Sequence, residues 1–357
     1  MNRLVFLLPG SLERLTGGTI YDRRIVAGLR ATGWEVEVVS LDTGFPWPDA
    51  AELDRAAASV AALPDGTLVV ADGLAFGAMP AIAWQHARRL RWVALVHHPL
   101  ALETGLKAHQ ATQLFESERQ ALASARAVVV TSAATARALA NDYGVAAPCI
   151  HVVEPGVAPA ALSGGTPDRA AEQTVSLLCV ATLTPRKGHV LLLDALAGLR
   201  DRAWTLHCVG STSQDAATTA AVRASIAALG LAQRVHLHGE LDAEALEAAY
   251  ARADAFVLPS FHEGYGMALS EALAHGLPVV STTAGAIPQT VPAGAGVLVP
   301  PGDHTALAAA LVRLFDDPAW RAALAKGARD VRERLPDWPV AVARFAAALD
   351  ATCCATP

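Results

Sequence analysis

The feature that most constrains this chain is a repeating alternation. Short aliphatic or β-branched runs recur along it, and each is followed by a longer stretch of helical character. In the first half the runs are Leu4–Leu8, Glu35–Leu41, Leu68–Ala71, Trp92–Val96, Ala127–Val130 and Ile150–Val153. Helical patterns fill the gaps at about Gly18–Ala31, Ala50–Leu63, Met79–Leu90, Thr104–Ser124 and Ala133–Asp142. Strands that are apolar on both faces, with helices between them, predict a parallel sheet covered on both sides.

The segment 158–172, APAALSGGTPDRAAE, breaks the pattern with Gly, Pro and Ser together and reads as a linker. The alternation then restarts, with strands expected at Val175–Val180, Thr205–Val209, Val235–Leu237, Ala255–Leu258, Val279–Ser281 and Val297–Val299. Helices are expected to open near Lys187 and near Met267, and the last helical stretches run from His304 to about Ala351. A chain of 357 residues exceeds what one core usually supports, and 53% hydrophobic residues supply enough apolar surface for two. We therefore expect two doubly wound α/β domains, residues 1–160 and 172–335, with 336–357 as a closing helical segment. Ligands of such sheets bind beyond the carboxyl ends of the strands. Two such units facing each other across a cleft would put the chemistry there.

Composition removes several function classes. A net charge of −6, from 28 basic and 34 acidic residues, is the wrong balance for a broad nucleic-acid surface. The five cysteines, Cys149, Cys179, Cys208, Cys353 and Cys354, include no C-x-x-C pair, which points to reduced thiols rather than a disulfide frame or zinc site. The opening MNRLVFLLPG reads as a first strand, too short for a signal peptide or a membrane span. The expected location is cytoplasmic. One stretch, Trp84 to Trp92, is basic and carries two tryptophans, so peripheral contact with an anionic membrane is a weaker expectation beside the plain reading of cations at a helix end.

Three places carry candidate chemistry. After the first strand, Pro9–Gly18 is a glycine-bearing loop entering a helix; its amides suit an anion, but its spacing is not G-x-G-x-x-G. After the fourth strand come His97 and His98, at a strand carboxyl end where a histidine can donate to a hydroxyl or move a proton. The richest segment runs from Leu258 to Val280. It places Glu263 in a loop and Glu271 on the following helix, with Gly264, Tyr265, Gly266, Met267 and Ala268 between them offering backbone amides.

The spacing from Glu263 to Glu271 resembles the E-x₇-E signature of retaining glycosyltransferases of family 4, which have the two-domain GT-B fold. Thr184-Pro185-Arg186-Lys187-Gly188 is similar to the family's phosphate-binding segment, Thr16-Gly17-Gly18 to its N-terminal glycine loop, and Pro300-Pro301-Gly302-Asp303 to the turn before its late helices. The resemblance implies two Rossmann-like domains, with the last helix crossing back to the first. It implies a nucleotide diphosphate sugar as donor and a glycan, lipid or small-molecule acceptor. Glu263 then contacts donor-sugar hydroxyls, Glu271 the ribose, Lys187 the diphosphate and His97 the reacting sugar. Gly17 and Gly18 line the donor. Apart from the resemblance, His238-Gly239-Glu240 ends a strand of the second domain, and a weaker expectation places Glu240 near the base. Many relatives carry a Gly-Arg pair after the strand that here ends Val180-Ala181-Thr182, so Arg186 is left to supply the second cation. With no Asp-x-Asp in the chain and no Cys/His cluster at ligand spacing, no catalytic metal and no cofactor are expected. Two rivals share these features: an epimerase or phosphorylase of nucleotide sugars, and a binding module without turnover.

Overall fold

The computed structural model describes residues 2–165 and 174–354, with side chains through residue 352. The linker reading therefore lies partly outside the described residues, as do the side chains of Cys353 and Cys354. The chain divides into two compact units, Met1–Gly156 with Pro336–Pro357, and Val157–Leu335. Among the described residues no helix is long and apolar enough to cross a membrane.

The first unit holds a parallel sheet of β1 (Arg3–Pro9), β2 (Glu35–Leu41), β3 (Leu68–Asp72), β4 (Arg91–Val96), β5 (Ala127–Val130) and β6 (Ile150–Val152), in the order β2-β1-β3-β4-β5-β6. The second holds β7 (Val175–Val180), β8 (Trp204–Val209), β9 (Val235–Gly239), β10 (Ala255–Leu258), β11 (Val279–Thr282) and β12 (Gly296–Val299), in the order β12-β11-β10-β7-β8-β9. All described pairings are parallel, as the two-sided apolar runs require. Both are doubly wound Rossmann-like sheets, the fold class expected from the alternation. Strand order reverses between β1 and β3 in the first unit and between β7 and β10 in the second. The loops leaving those strands are where such a sheet offers a crevice.

Local chemistry explains the element ends. Thr16, Asp49, Ser132, Asp215, Asp242 and Asp303 each cap a helix by accepting a hydrogen bond from a first-turn amide. Two helical stretches come out shorter than expected. The pattern Met79–Leu90 yields a helix only over Pro80–His86, since Pro80 opens it and Arg89 turns back to donate to the carbonyls of Val60 and Leu63. The pattern Thr104–Ser124 becomes helical only at Ala108, past Gly105 at φ +84°. The helix expected to open near Lys187 does so, a 3₁₀ turn over Pro185–Lys187 leading into the α-helix His189–Ala197.

These contacts also correct the basic two-tryptophan reading. Trp92 is wholly buried in β4, packed against Phe76, while Trp84 is 78% exposed. Arg89 is occupied by backbone carbonyls and Arg91 donates to Gly66. The two tryptophans therefore do not share a surface.

The closing helix, Trp338–Cys354, packs on the helix Gly17–Ala31 of its own unit. Gly28 makes that approach possible, because a Cβ there would lie 2.2 Å from Cγ2 of Val342. Gly28→Ala should destabilise the fold by about 1–3 kcal/mol through overpacking, despite alanine's better helix propensity. Adding Val342→Ala should recover most of the loss in urea titration; an unchanged midpoint for Gly28→Ala would show that the helices do not meet there.

Candidate functional site

In the second unit the two loops at the reversal of strand order are bound to each other. Gly188 has φ +70°, and a Cβ on it would lie 2.3 Å from the carbonyl oxygen of Pro259, so only glycine lets the loop after β7 reach the loop after β10. Arg186 closes the contact twice: its carbonyl accepts from the amide of Phe261 at 2.8 Å, and its Nη1 donates to the carbonyl of His262 at 2.8 Å.

Glu263 is the centre of this junction and is 5% exposed. Its Oε1 accepts from Nζ of Lys187 at 2.6 Å and from Oγ of Ser260 at 2.6 Å, and its Oε2 lies 3.4 Å from Nη1 of Arg186. Burial alone would raise its pKa. The charges of Lys187 and Arg186, with the hydrogen bonds from Lys187 and Ser260, outweigh burial and hold it at about 2. Burial pushes the Lys187 ammonium below the usual lysine range, against the pull of Glu263. The backbone of Glu263 is fixed as well. Its carbonyl accepts from the amide of Ala286 at 2.9 Å, and Gly285, at φ +59°, comes so near that a Cβ would lie 2.2 Å from the same oxygen.

The loop then passes Gly264 and Tyr265 to Gly266, which at φ +90° opens the helix Met267–Ala274 with no side-chain cap. Thr290 donates to the carbonyl of Tyr265 at 2.7 Å, so the approach to this helix is tied down. Glu271, one turn along, accepts from the Tyr250 hydroxyl at 3.0 Å, and the Tyr250 ring stacks on His275. Glu240 does not join the group: it is exposed, just beyond β9 at the edge of the sheet, two strands from β7. Of the turn Pro300–Asp303, Asp303 caps the helix His304–Asp316.

In the first unit His97 leaves β4 beside two carboxylates. Its Nε2 lies 3.0 Å from Oδ1 of Asp22, on the helix Gly17–Ala31, and 3.3 Å from Oδ2 of Asp72, at the end of β3. Gly18 gives the ring room, since a Cβ there would lie 3.1 Å from Cδ2 of His97, and Tyr21 meets the ring edge-on at 5.4 Å. Gly17 is open. His98 takes a separate direction, with Nε2 3.3 Å from Oε2 of Glu103.

Sequence reasoning missed Ser260, Gly285, Asp22 and Asp72. Ser260 and Gly285 show themselves only once the loop is folded. Asp22 lies among Tyr21, Ile25, Val26 and Leu29 on the inward face of its helix, a polar residue on an apolar stripe, which was the available signal. Together Asp22, Asp72 and His97 bring three ligand-type atoms within 4.8 Å of one another. The expectation of no metal rested on the absence of Asp-x-Asp and of Cys/His ligand spacing, and spacing does not register a group assembled from three elements.

Residues 174–317 match the model for "Glycosyl transferases group 1", and residues 65–161 match that for "Glycosyltransferase Family 4". A D-inositol 3-phosphate glycosyltransferase of Thermobispora bispora is 33% identical over 281 residues, covering 72% of this chain and 65% of that protein. One from Salinispora tropica is 31% identical, covering 67% and 55%, and an MMP α-(1→4)-mannosyltransferase of Mycolicibacterium hassiacum is 30% identical, covering 63% and 57%. The chain thus spans less than two thirds of each of these relatives. Among solved structures, sucrose-phosphate synthase from Thermosynechococcus elongatus superposes with a TM-score of 0.82 at 23% identity, over 99% of this chain and 100% of that one. Anabaena HepE in complex with UDP-glucose gives 0.75 at 20% identity, over 98% and 100%. These structural likenesses bear on the fold alone.

A buried carboxylate shared by two cations predicts a steep acid dependence. The folded pKa of Glu263 is depressed from 4.5 to about 2, so its stabilisation is complete above pH 4.5 and is lost as pH falls toward 2. That interval corresponds to about 3 kcal/mol, and Glu263→Ala, which strands Lys187 and Arg186, should cost ~3–5 kcal/mol at pH 7. Urea unfolding at pH 7 and pH 3 measures both; a pH difference as large in Glu263→Ala as in the wild type would refute the assignment.

Proposed function

Since the chain belongs to glycosyltransferase family 4, with two Rossmann-like GT-B-type units, we propose that it transfers a sugar from a nucleotide diphosphate donor to a hydroxyl acceptor with retention of anomeric configuration. The observation that carries this reading is Glu263, buried and ion-paired with Lys187 and Arg186 at the strand-order reversal of the second unit.

The chemistry follows from charge. Cleaving the sugar–phosphate bond leaves negative charge on the departing diphosphate. Two cations and one carboxylate give the junction a net charge of +1, and the uncapped amides of the helix Met267–Ala274 add a positive partial charge. Both are in place before the bond breaks, so they stabilise the growing charge without reorganising. Oε1 of Glu263 orients Lys187, and Oε2, with Arg186 at 3.4 Å, is the oxygen with room to accept from a sugar hydroxyl. Glu271, held by Tyr250, takes the ribose diol. In this reading Arg186 and Lys187 do for the diphosphate what a divalent cation does in other transferases, and turnover needs no metal.

Known binding by relatives supports the donor class: HepE has been solved with UDP and with UDP-glucose. Relatives that act on D-inositol 3-phosphate make polyol phosphates a first acceptor class to try. Protein incubated with UDP-, GDP-, ADP- and dTDP-sugars, with and without an acceptor pool, should release nucleotide diphosphate in an acceptor-dependent way and equally well in EDTA. Epimerised sugar from donor alone would identify an epimerase, and thermal stabilisation without turnover would identify a binding module. Lys187→Ala should weaken nucleotide diphosphate binding by about 10- to 100-fold, the worth of a charge-assisted hydrogen bond. Calorimetry giving wild-type affinity from a folded variant removes Lys187 from the site.

A further inference from the structure

Asp22, Asp72 and His97 come from three different elements of the first unit and meet at a single atom. Nε2 of His97 is within hydrogen-bond distance of both carboxylates, at 3.0 and 3.3 Å. A protonated Nε2 between two carboxylates is attracted by both, whereas a bare lone pair there requires one of the acids to carry the proton instead. Both acids are buried, and Asp72 is held from its other side, where Oδ1 accepts from the amide of Leu74 at 2.8 Å. The ring cannot swing freely, with Gly18 against Cδ2 and Tyr21 at its edge. Its second nitrogen, Nδ1, makes no hydrogen bond to any described residue, yet it is not one of the buried side-chain atoms left without a partner. The His97 side chain is one-fifth exposed.

We infer that Asp22 and Asp72 are positioning residues that fix His97 as an imidazolium, its Nε2–H committed to them and its Nδ1–H offered outward as a charged donor to a substrate hydroxyl. Only the identity of that hydroxyl, on a sugar, rests on the function proposed above. The assignment decides between two uses of the histidine. With both nitrogens protonated the ring has no lone pair, so His97 donates a hydrogen bond and does not act as a general base.

Electrostatics agree. Burial opposes a charge on His97, but the charges and hydrogen bonds of Asp22 and Asp72 overcome it and raise the pKa to about 10. Burial, with the neighbouring Asp72, pushes the pKa of Asp22 up to about 7 against the pull of the His97 charge, so the ionised pair is Asp72 with His97 at the acid end of the neutral range and both acids with His97 above it. The other titratable group against the ring is Tyr21, whose phenol burial holds neutral and which donates to the carbonyl of Val153 at 3.0 Å. His98, the chain neighbour, is engaged with Glu103.

The test uses the full chain with ¹⁵N-labelled histidine, the ring signals of His97 being assigned by their loss in His97→Gln. In the wild type both nitrogens should keep imidazolium shifts from pH 6 to pH 8. The double variant Asp22→Asn/Asp72→Asn preserves side-chain shape and keeps an amide oxygen at position 72 to accept from Leu74. In it His97 should titrate near the ordinary value of about 6.5, and each single variant should fall between. A neutral wild-type ring at pH 8, or a titration unchanged in the double variant, overturns the inference. So does a change in ring shifts on adding Mn²⁺ or Zn²⁺ that EDTA reverses, because the trio would then be a metal site. If acceptor-dependent transfer is observed, kcat/KM of the double variant should recover roughly twentyfold relative to wild type between pH 8 and pH 6, as its unsupported imidazole gains a proton. A general base would lose activity over the same interval. If no transfer occurs with any donor, the proposed function fails while the nitrogen shifts still decide the state of His97.

Discussion

The structure of the second unit turns on a carboxylate that has been removed from water. Glu263 is buried, and burying a carboxylate is costly unless cations and hydrogen bonds compensate. Lys187, Arg186 and Ser260 do so, and the requirement to bring them there shapes the surrounding backbone. Position 188 is glycine because the loop after β7 must touch the loop after β10. Position 285 is glycine because a third segment closes over the carbonyl of Glu263. The strand order puts the first two loops side by side, and the ion pair then holds them.

Such an arrangement is a weak device for stability alone, since a well-packed apolar cluster of the same volume would serve the fold as well or better. A buried pair at the carboxyl end of central strands makes more sense as preorganisation. The cations are fixed before any anion arrives, and the carboxylate between them offsets their mutual repulsion. The same logic governs the first unit, where Asp22 and Asp72 hold one nitrogen of His97. In both units a charged group is held by oppositely charged partners that are more deeply buried than itself.

The fold class was legible because its signal is redundant. Each of the twelve described strands appears as an aliphatic run, and an error of a residue at one end of a run leaves the sheet unchanged. Helix ends were less legible where one residue outranks the periodicity, as Pro80 and Gly105 do. The candidate site was legible where partners lie on the same motif or beside a recognisable turn, so Lys187, Arg186 and Glu263 were each singled out and stand together in the structure. Nothing in their spacing of about 76 positions announces an ion pair, however. Asp22 and Asp72 were missed for a related reason: each is an isolated carboxylate in its own segment, and only the strand order of the first sheet makes them neighbours.

Burial also settles how the charges divide their work. A lysine at the surface would be a mobile, hydrated point charge that an arriving phosphate must first desolvate and order. Lys187 has already been desolvated and ordered in the folded state, with its side chain 16% exposed and its pKa lowered by burial. Its attraction for an anion is strengthened by the low local dielectric, and so is its attraction for Glu263, which therefore sets how much of the cation remains for a ligand. A phosphate oxygen entering this junction must compete with Oε1 of Glu263 at 2.6 Å, or share the ammonium with it through another of its three donors. Sharing is the less costly course, because displacing Glu263 would strand a buried carboxylate. Under the proposed function Nζ links the acid to the donor's diphosphate, and the position of the carboxylate is passed directly to whatever the lysine holds.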